Sequence, residues 1–226
     1  MYACNTLVIL EGRILKAPIY FHYLPALLAA LVLALTACSR QDVPGAAAAA
    51  AAEKSATPAA PAAGTQSPGQ TYDTVAAQGK GFTVGAVMAA QTVYVLFDPQ
   101  CPHCGHLWNA ALPLQKKAKF VWVPVAIMNG KSATQGAALI TSTNPAEVMT
   151  AHEASILAGT GGMVAPINAS TDVEDAIKAN TKLFTSLGIE SVPYLVAKNA
   201  QTGQAVTHSG AMDTAALAGL LGLAAP

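Results

Sequence analysis

The chain has 226 residues, a formal charge of +0 and only 11% charged side chains, which gives it no basic stripe for a nucleic-acid partner. Its 53% apolar content is inflated by alanine and by one N-terminal run, so it does not read as an integral membrane protein. Four cysteines are few enough that their positions carry the information.

Residues 1–37 read as an export signal. Arg13 and Lys16 supply the basic region, and the apolar run Leu24–Leu35 is shorter than the about 20 residues a spanning helix needs. Leu35-Thr36-Ala37-Cys38 resembles a bacterial lipobox, in which cleavage precedes a lipidated cysteine. Ser39 then points to the outer membrane, by resemblance to sorted lipoproteins. An ordinary signal peptide with a coincidental cysteine is the alternative, and it leaves a soluble periplasmic protein. Met1–Gly12, with Glu11, is an unusual leader and points to a start codon further downstream. Cys4 leaves with the signal and Cys38 carries lipid, so Cys101 and Cys104 are the thiols left in the mature protein.

Residues 38–70 are dominated by Ala, Pro, Gly, Ser and Thr and read as a flexible tether. Extended at about 3.1 Å per residue it reaches roughly 90 Å. Residues 71–226 remain as one domain with a full core.

Val93–Phe97 is a β-branched and aromatic run, a buried strand closed by Asp98-Pro99. Cys101-Pro102-His103-Cys104 follows, and Leu107, Trp108, Ala110, Ala111 and Leu112 continue as a helix. Strand, turn, C-x-x-C and helix is the arrangement of a thioredoxin-like redox site. Positions i and i+3 on a first helical turn bring two sulfurs within disulfide reach. The first sits at the helix N-terminus, where free N–H groups and the dipole favour a thiolate. Cys101 is therefore the nucleophile and Cys104 the resolving thiol. Pro102 suits a first turn, and His103 can donate a hydrogen bond or a charge to the thiolate, making the disulfide more oxidising. A zinc site wants a second ligand pair, whereas His106, His152 and His208 are scattered. A haem site wants C-x-x-C-H, but Gly105 follows Cys104.

Pro113 is expected to end or kink the active-site helix, and Trp108 to pack on it. Phe120–Ile127 reads as a strand in which Pro124 implies an edge, bulge or bend. Helices follow over Ser132–Thr141, over Asn144-capped Pro145 to about Leu157, and from Ser170 or Thr171 to Gly188. Tyr194–Ala197 and Gln204–His208 form a hairpin after Val192-Pro193, and Asp213 caps a final helix to Leu223.

The pattern F-x-D-P-x-C-P-x-C, a late helical insertion (about 131–188), then V-P before a strand and a terminal helix resembles the catalytic domain of the periplasmic Dsb proteins, in the DsbC/DsbG thiol:disulfide interchange branch. The likeness runs from about Val93 to Leu223. It implies an α/β thioredoxin-like fold with a helical insertion. Cys101 attacks a substrate disulfide or sulfenic acid, Cys104 resolves it, and Pro193 is a cis proline facing the dithiol. Val192 is then free to pair with an extended substrate. Pro102, His103 and Val192 tune the redox poise; Cys-Pro-His-Cys and a valine before the proline are features of the oxidant DsbA. A lipobox and linker stand where the branch carries a dimerisation domain, so a monomer is expected.

The implied function is envelope thiol–disulfide exchange on cysteines of exported proteins, as reductase/isomerase or oxidase. Its partner is a DsbD-like membrane reductase or a DsbB-like oxidase. No cofactor beyond the Cys101–Cys104 disulfide and no nucleic acid is expected. The competing reading is a non-enzymatic copper- or zinc-binding lipoprotein using Cys101, Cys104 and a nearby histidine.

Overall fold

The computed structural model describes residues 66–165 and 169–226; the stretch read as a signal, Cys38 and nearly all of the stretch read as a linker lie outside the described residues. Ser67 opens the first helix, α1 (Pro68–Gln78), with a capping box to Gln70. This helix begins inside the stretch read as linker. It fully buries only Thr71 and Val75, so its apolar periodicity is too sparse to announce it.

Strand β1 (Phe82–Gly85) follows, then β2 (Thr92–Phe97), α2 (Pro102–Ala111) and β3 (Lys119–Pro124). Helices α3 (Ser132–Thr141), α4 (Pro145–Leu157) and α5 (Thr171–Ser186) form the insertion, and β4 (Tyr194–Lys198), β5 (Ala205–Ser209) and α6 (Thr214–Leu221) complete the domain. Pro113 ends α2 in one turn of 3-10 helix, Leu112–Leu114. Asn144 precedes α4 but makes no capping bond; its amide donates to Glu147.

The five strands lie in the order β1-β3-β2-β4-β5. β2 and β3 run parallel, with Val95 opposite Trp122, and the other pairs are antiparallel. Of the edge, bulge or bend expected at Pro124, the edge is excluded, because β3 is an internal strand. Pro124 is its last residue, opposite Phe97 and past the Phe82–Trp122 end of the β1 register, so its missing N–H removes no bond to β1.

Alternation along the strands sorts the core into two layers. Val93, Val95, Phe97, Phe120, Trp122 and Leu195 point to one face, where α2 and α6 cover them with Leu107, Trp108 and Leu217. Leu96, Val123 and Val196 point to the other, against Val75 of α1 and Leu183 and Phe184 of α5. Trp122 stands edge-on to Phe97 at 5.4 Å and to Trp108 at 5.1 Å. The Trp108 indole N–H donates to Thr150 Oγ1 at 3.2 Å, which ties α2 to α4.

Candidate active site

The topology explains why distant residues meet. β4 is antiparallel to β2, with Tyr194 opposite Leu96, so the start of β4 lies beside the end of β2. That register brings Val192-Pro193 to the turn that leads into α2. The Val192–Pro193 peptide is cis. Cys101 is the N-cap residue of α2, in extended conformation, and its Sγ donates to the Val192 carbonyl at 3.7 Å.

Cys101 and Cys104 are free thiols, both buried. Cys101 is 4% exposed and Cys104 0%, so only the first offers an approach from outside. Their acidities diverge. The Cys101 thiol is pulled down to about 6, first by the hydrogen bond from the Cys104 side chain. Burial opposes this, while backbone hydrogen bonds from Cys104 and His103 and the charge of His103 assist. Burial pushes the Cys104 thiol well above its ordinary range, and the shared hydrogen bond and the Cys101 charge push the same way. Pro102 and His103 are exposed on the first turn, and Pro193 is buried, next to the Val192 carbonyl that Cys101 contacts. His106 is exposed with its ring 6.3 Å from that of His103. Among the described residues no group of three or more His, Cys, Asp or Glu side chains gathers in metal-binding geometry.

Three residues of the site receive no role from the sequence. Asp98 stands in the F-x-D-P-x-C-P-x-C pattern and reads only as a strand end, yet it is fully buried and saturated. Its carboxylate accepts from the N–H groups of Gln100 (2.8 Å), Ile127 (2.7 Å) and Met128 (3.0 Å) and from the Ser132 hydroxyl (2.7 Å). It thereby clamps the turn before Cys101 to the loop after β3 and the start of α3. His152, on α4, donates from Nε2 to the Pro99 carbonyl at 2.7 Å and accepts the Met163 N–H at Nδ1. Burial lowers its pKa, and a ring accepting at Nδ1 is neutral. Gly162 has φ +81 and would place a Cβ 2.5 Å from the His152 ring, so only glycine lets this loop close over the imidazole.

Glu153, the next residue of α4, is 0% exposed, and neither carboxylate oxygen has a hydrogen-bond partner among the described residues. Burial first, then the charges of Cys101 and Asp98, push its pKa up to about 9. Its Oε2 lies 2.8 Å from where a Cβ on Gly105 would stand, which puts the carboxyl against the helical turn that carries Cys104. The only available signal is a His-Glu pair inside an alanine-rich helix. An apolar-sided cavity of about 410 Å³ between α3 and α5, lined by Ala126, Ala137, Ile177 and Lys178, contains neither cysteine.

Two curated relatives are named for thiol:disulfide interchange. The chain is 31% identical over 140 residues to the thiol:disulfide interchange protein DsbG of Pseudomonas aeruginosa, covering 61% of this chain and 54% of that protein. With DsbG of Escherichia coli it shares 32% identity over 118 residues, 50% and 47% of the two chains. The matched segment of the chain is DsbG-like in sequence. It spans about half the length of the curated relatives it matches. No protein-family model matches it. Among solved structures, the DsbG-like domain resembles the catalytic domain of Proteus mirabilis ScsC, with TM-score 0.54 and 16% identity over 68% of this chain and 94% of that one. It also resembles a periplasmic thioredoxin-like protein from Salmonella enterica serovar Typhimurium, with TM-score 0.55 and 13% identity over 70% and 97%. At such identities the likeness establishes the fold, an α/β thioredoxin-like sheet with a helical insertion. The chain is thus similar, over about half their length, to thiol:disulfide interchange proteins, and it carries a C-x-x-C pair, Cys101 and Cys104.

Proposed function

We propose that this chain exchanges thiols and disulfides on cysteines of exported proteins, with Cys101 as nucleophile and Cys104 as resolving thiol. The observation that carries the reading is the split in acidity across one helical turn. Cys101 is held at about 6 and ionises near neutral pH, while Cys104 is kept protonated until it is needed. The Cys101 thiolate attacks a sulfur of the substrate disulfide and releases the first substrate thiol. Cys104 then attacks Cys101 Sγ, closes the protein disulfide and releases the second.

The cis Val192–Pro193 bond beside Cys101 supports a substrate groove in which the Val192 backbone pairs with an extended chain. Pro102, His103 and Val192 are the tuning positions. A thiol at about 6 stabilises the reduced protein and so favours an oxidising disulfide. The DsbG-like ancestry favours reduction or isomerisation. The state of the dithiol in growing cells, trapped by acid and alkylation, separates these: mostly oxidised requires a DsbB-like partner, mostly reduced a DsbD-like one. The DsbG-like sequence and the signal pattern in residues 1–37 support a periplasmic location, with lipidation at Cys38 as the anchor; fatty-acid labelling that survives Cys38→Ala would overturn the anchor.

Cys101→Ala is expected to abolish insulin reduction and oxidative refolding by the purified protein. Full activity in that variant would remove the exchange reading. Tight copper or zinc binding by the reduced protein, with no exchange activity in the wild type, would favour the metal-binding alternative.

A further inference from the structure

Exchange through Cys101 and Cys104 leaves Glu153 without a role, although burying an unpartnered carboxyl is costly. Resolution of the mixed disulfide also lacks a part. Cys104 is fully buried and held protonated, and a thiol attacks a disulfide only as the thiolate. A base must take its proton inside the domain. We propose that Glu153 is the proton acceptor for Cys104, a role that rests on the exchange reaction proposed above.

The geometry carries the assignment. Glu153 Oε2 lies against the backbone of Gly105, the residue after Cys104, and the absence of a side chain there lets α4 approach α2 this closely. Neither oxygen is engaged by another group among the described residues, so the carboxylate can accept a proton. Four ionisable groups surround the carboxyl. Cys101 and Cys104 face it from α2 and its cap, and Asp98 from the end of β2. His152 precedes it on α4, neutral and committed to Pro99 and Met163. His152 therefore holds the turn in place and does not compete for the proton.

The step balances. In the mixed disulfide, the Glu153 carboxylate removes the Cys104 proton and becomes a carboxylic acid. The Cys104 sulfur forms a bond to Cys101 Sγ, the bond from Cys101 to the substrate sulfur breaks, and its electron pair leaves on the substrate as a thiolate. In the reverse direction the Glu153 acid returns the proton to the departing Cys104. The charge on Cys101 times the event. While Cys101 is a thiolate it opposes ionisation of Glu153. Once Cys101 is bonded to substrate that opposition is gone, which eases ionisation of the carboxyl against the burial and the Asp98 charge that still oppose it.

Single-turnover reaction of the reduced full-length protein with oxidised glutathione separates formation of the mixed disulfide from its resolution. Glu153→Gln is expected to form the mixed disulfide at the wild-type rate, with Cys101 still titrating near 6. Its resolution at pH 7 is expected to slow by about 100-fold, within the usual range for losing a general base. The wild-type resolution rate should level off with rising pH as the carboxyl ionises, whereas the variant should climb about tenfold per pH unit, because hydroxide replaces the base. Resolution at the wild-type rate, or a uniform slowing that keeps the wild-type bend, overturns the proposal. If the variant does not fold, the wild type decides: the Glu153 carboxyl carbon resonance in the glutathione mixed disulfide must titrate at the bend, and a mismatch overturns the role. Absence of any mixed disulfide on wild-type Cys101 sinks the exchange reading itself, a result distinct from failure of the Glu153 role.

Discussion

Cys101 and Glu153 share one small volume and respond to pH in opposite directions. The Cys101 thiol is depressed to about 6 in the fold, so its contribution is full above the ordinary thiol range and is lost as pH falls through 6. Glu153 is raised to about 9 from 4.5, so the fold keeps it neutral while the unfolded chain ionises it. Its contribution is intact below 4.5 and is lost progressively as pH rises towards 9, at about 1.4 kcal/mol per pH unit. By pH 7 the loss is about 3 kcal/mol. His152, lowered by burial, works the other way and loses stability as pH falls below 6.5, so the wild-type curve alone mixes signs. The difference between Glu153→Gln and wild type isolates the carboxyl. In urea unfolding that difference should grow in favour of the variant by about 1.4 kcal/mol per unit between pH 5 and 8. Parallel curves would mean that Glu153 is ionised in the fold.

Among the elements, the insertion both shields the site and is anchored by few polar contacts. α4 supplies His152 and Glu153 behind the dithiol, and α5 covers the opposite face of the sheet. Asn180 of α5 is fully buried and makes three bonds: it accepts the Lys80 N–H at 2.9 Å and donates to the carbonyls of Lys80 (2.6 Å) and Pro124 (2.9 Å). One side chain thus joins α5 to the approach of β1 and to the end of β3. Asn180→Leu fills the space but leaves three backbone groups unpaired. A loss of about 2–3 kcal/mol in urea unfolding is expected, with an unchanged denaturant slope. A loss below about 0.5 kcal/mol would mean that these groups are solvated in the folded state.

At the scale of the whole molecule, the two redox states should differ in stability with a definite pH dependence. Closing the short Cys101–Cys104 loop restrains the unfolded chain by only about 2 kcal/mol. The reduced form instead gains from its Cys101 thiolate, on the order of 1 kcal/mol at pH 7 and more at higher pH. The two effects are close at neutral pH. Thermal or urea unfolding of both forms should show a flat gap below pH 6 and a gap moving towards the reduced form between pH 6 and 9. A gap that stays flat across that window would mean that Cys101 does not ionise in it.

Local chemistry by itself determined the element that holds the dithiol, because a β-branched run, Asp98-Pro99 and a C-x-x-C on a helical turn interact over few residues. Periodicity and punctuation likewise located α3 to α6 and the β4–β5 hairpin to within a few residues. α1 and β1 escaped because one is weakly amphipathic and the other is four residues long. The internal placement of β3 also lay beyond reach, since strand order is set by long-range pairing that no window of sequence contains. Only the tertiary structure brought Asp98, His152 and Glu153 to the dithiol. Their effect depends on burial and on partners far away in the chain, and a carboxylate in sequence looks the same whether it is saturated like Asp98 or unpartnered like Glu153.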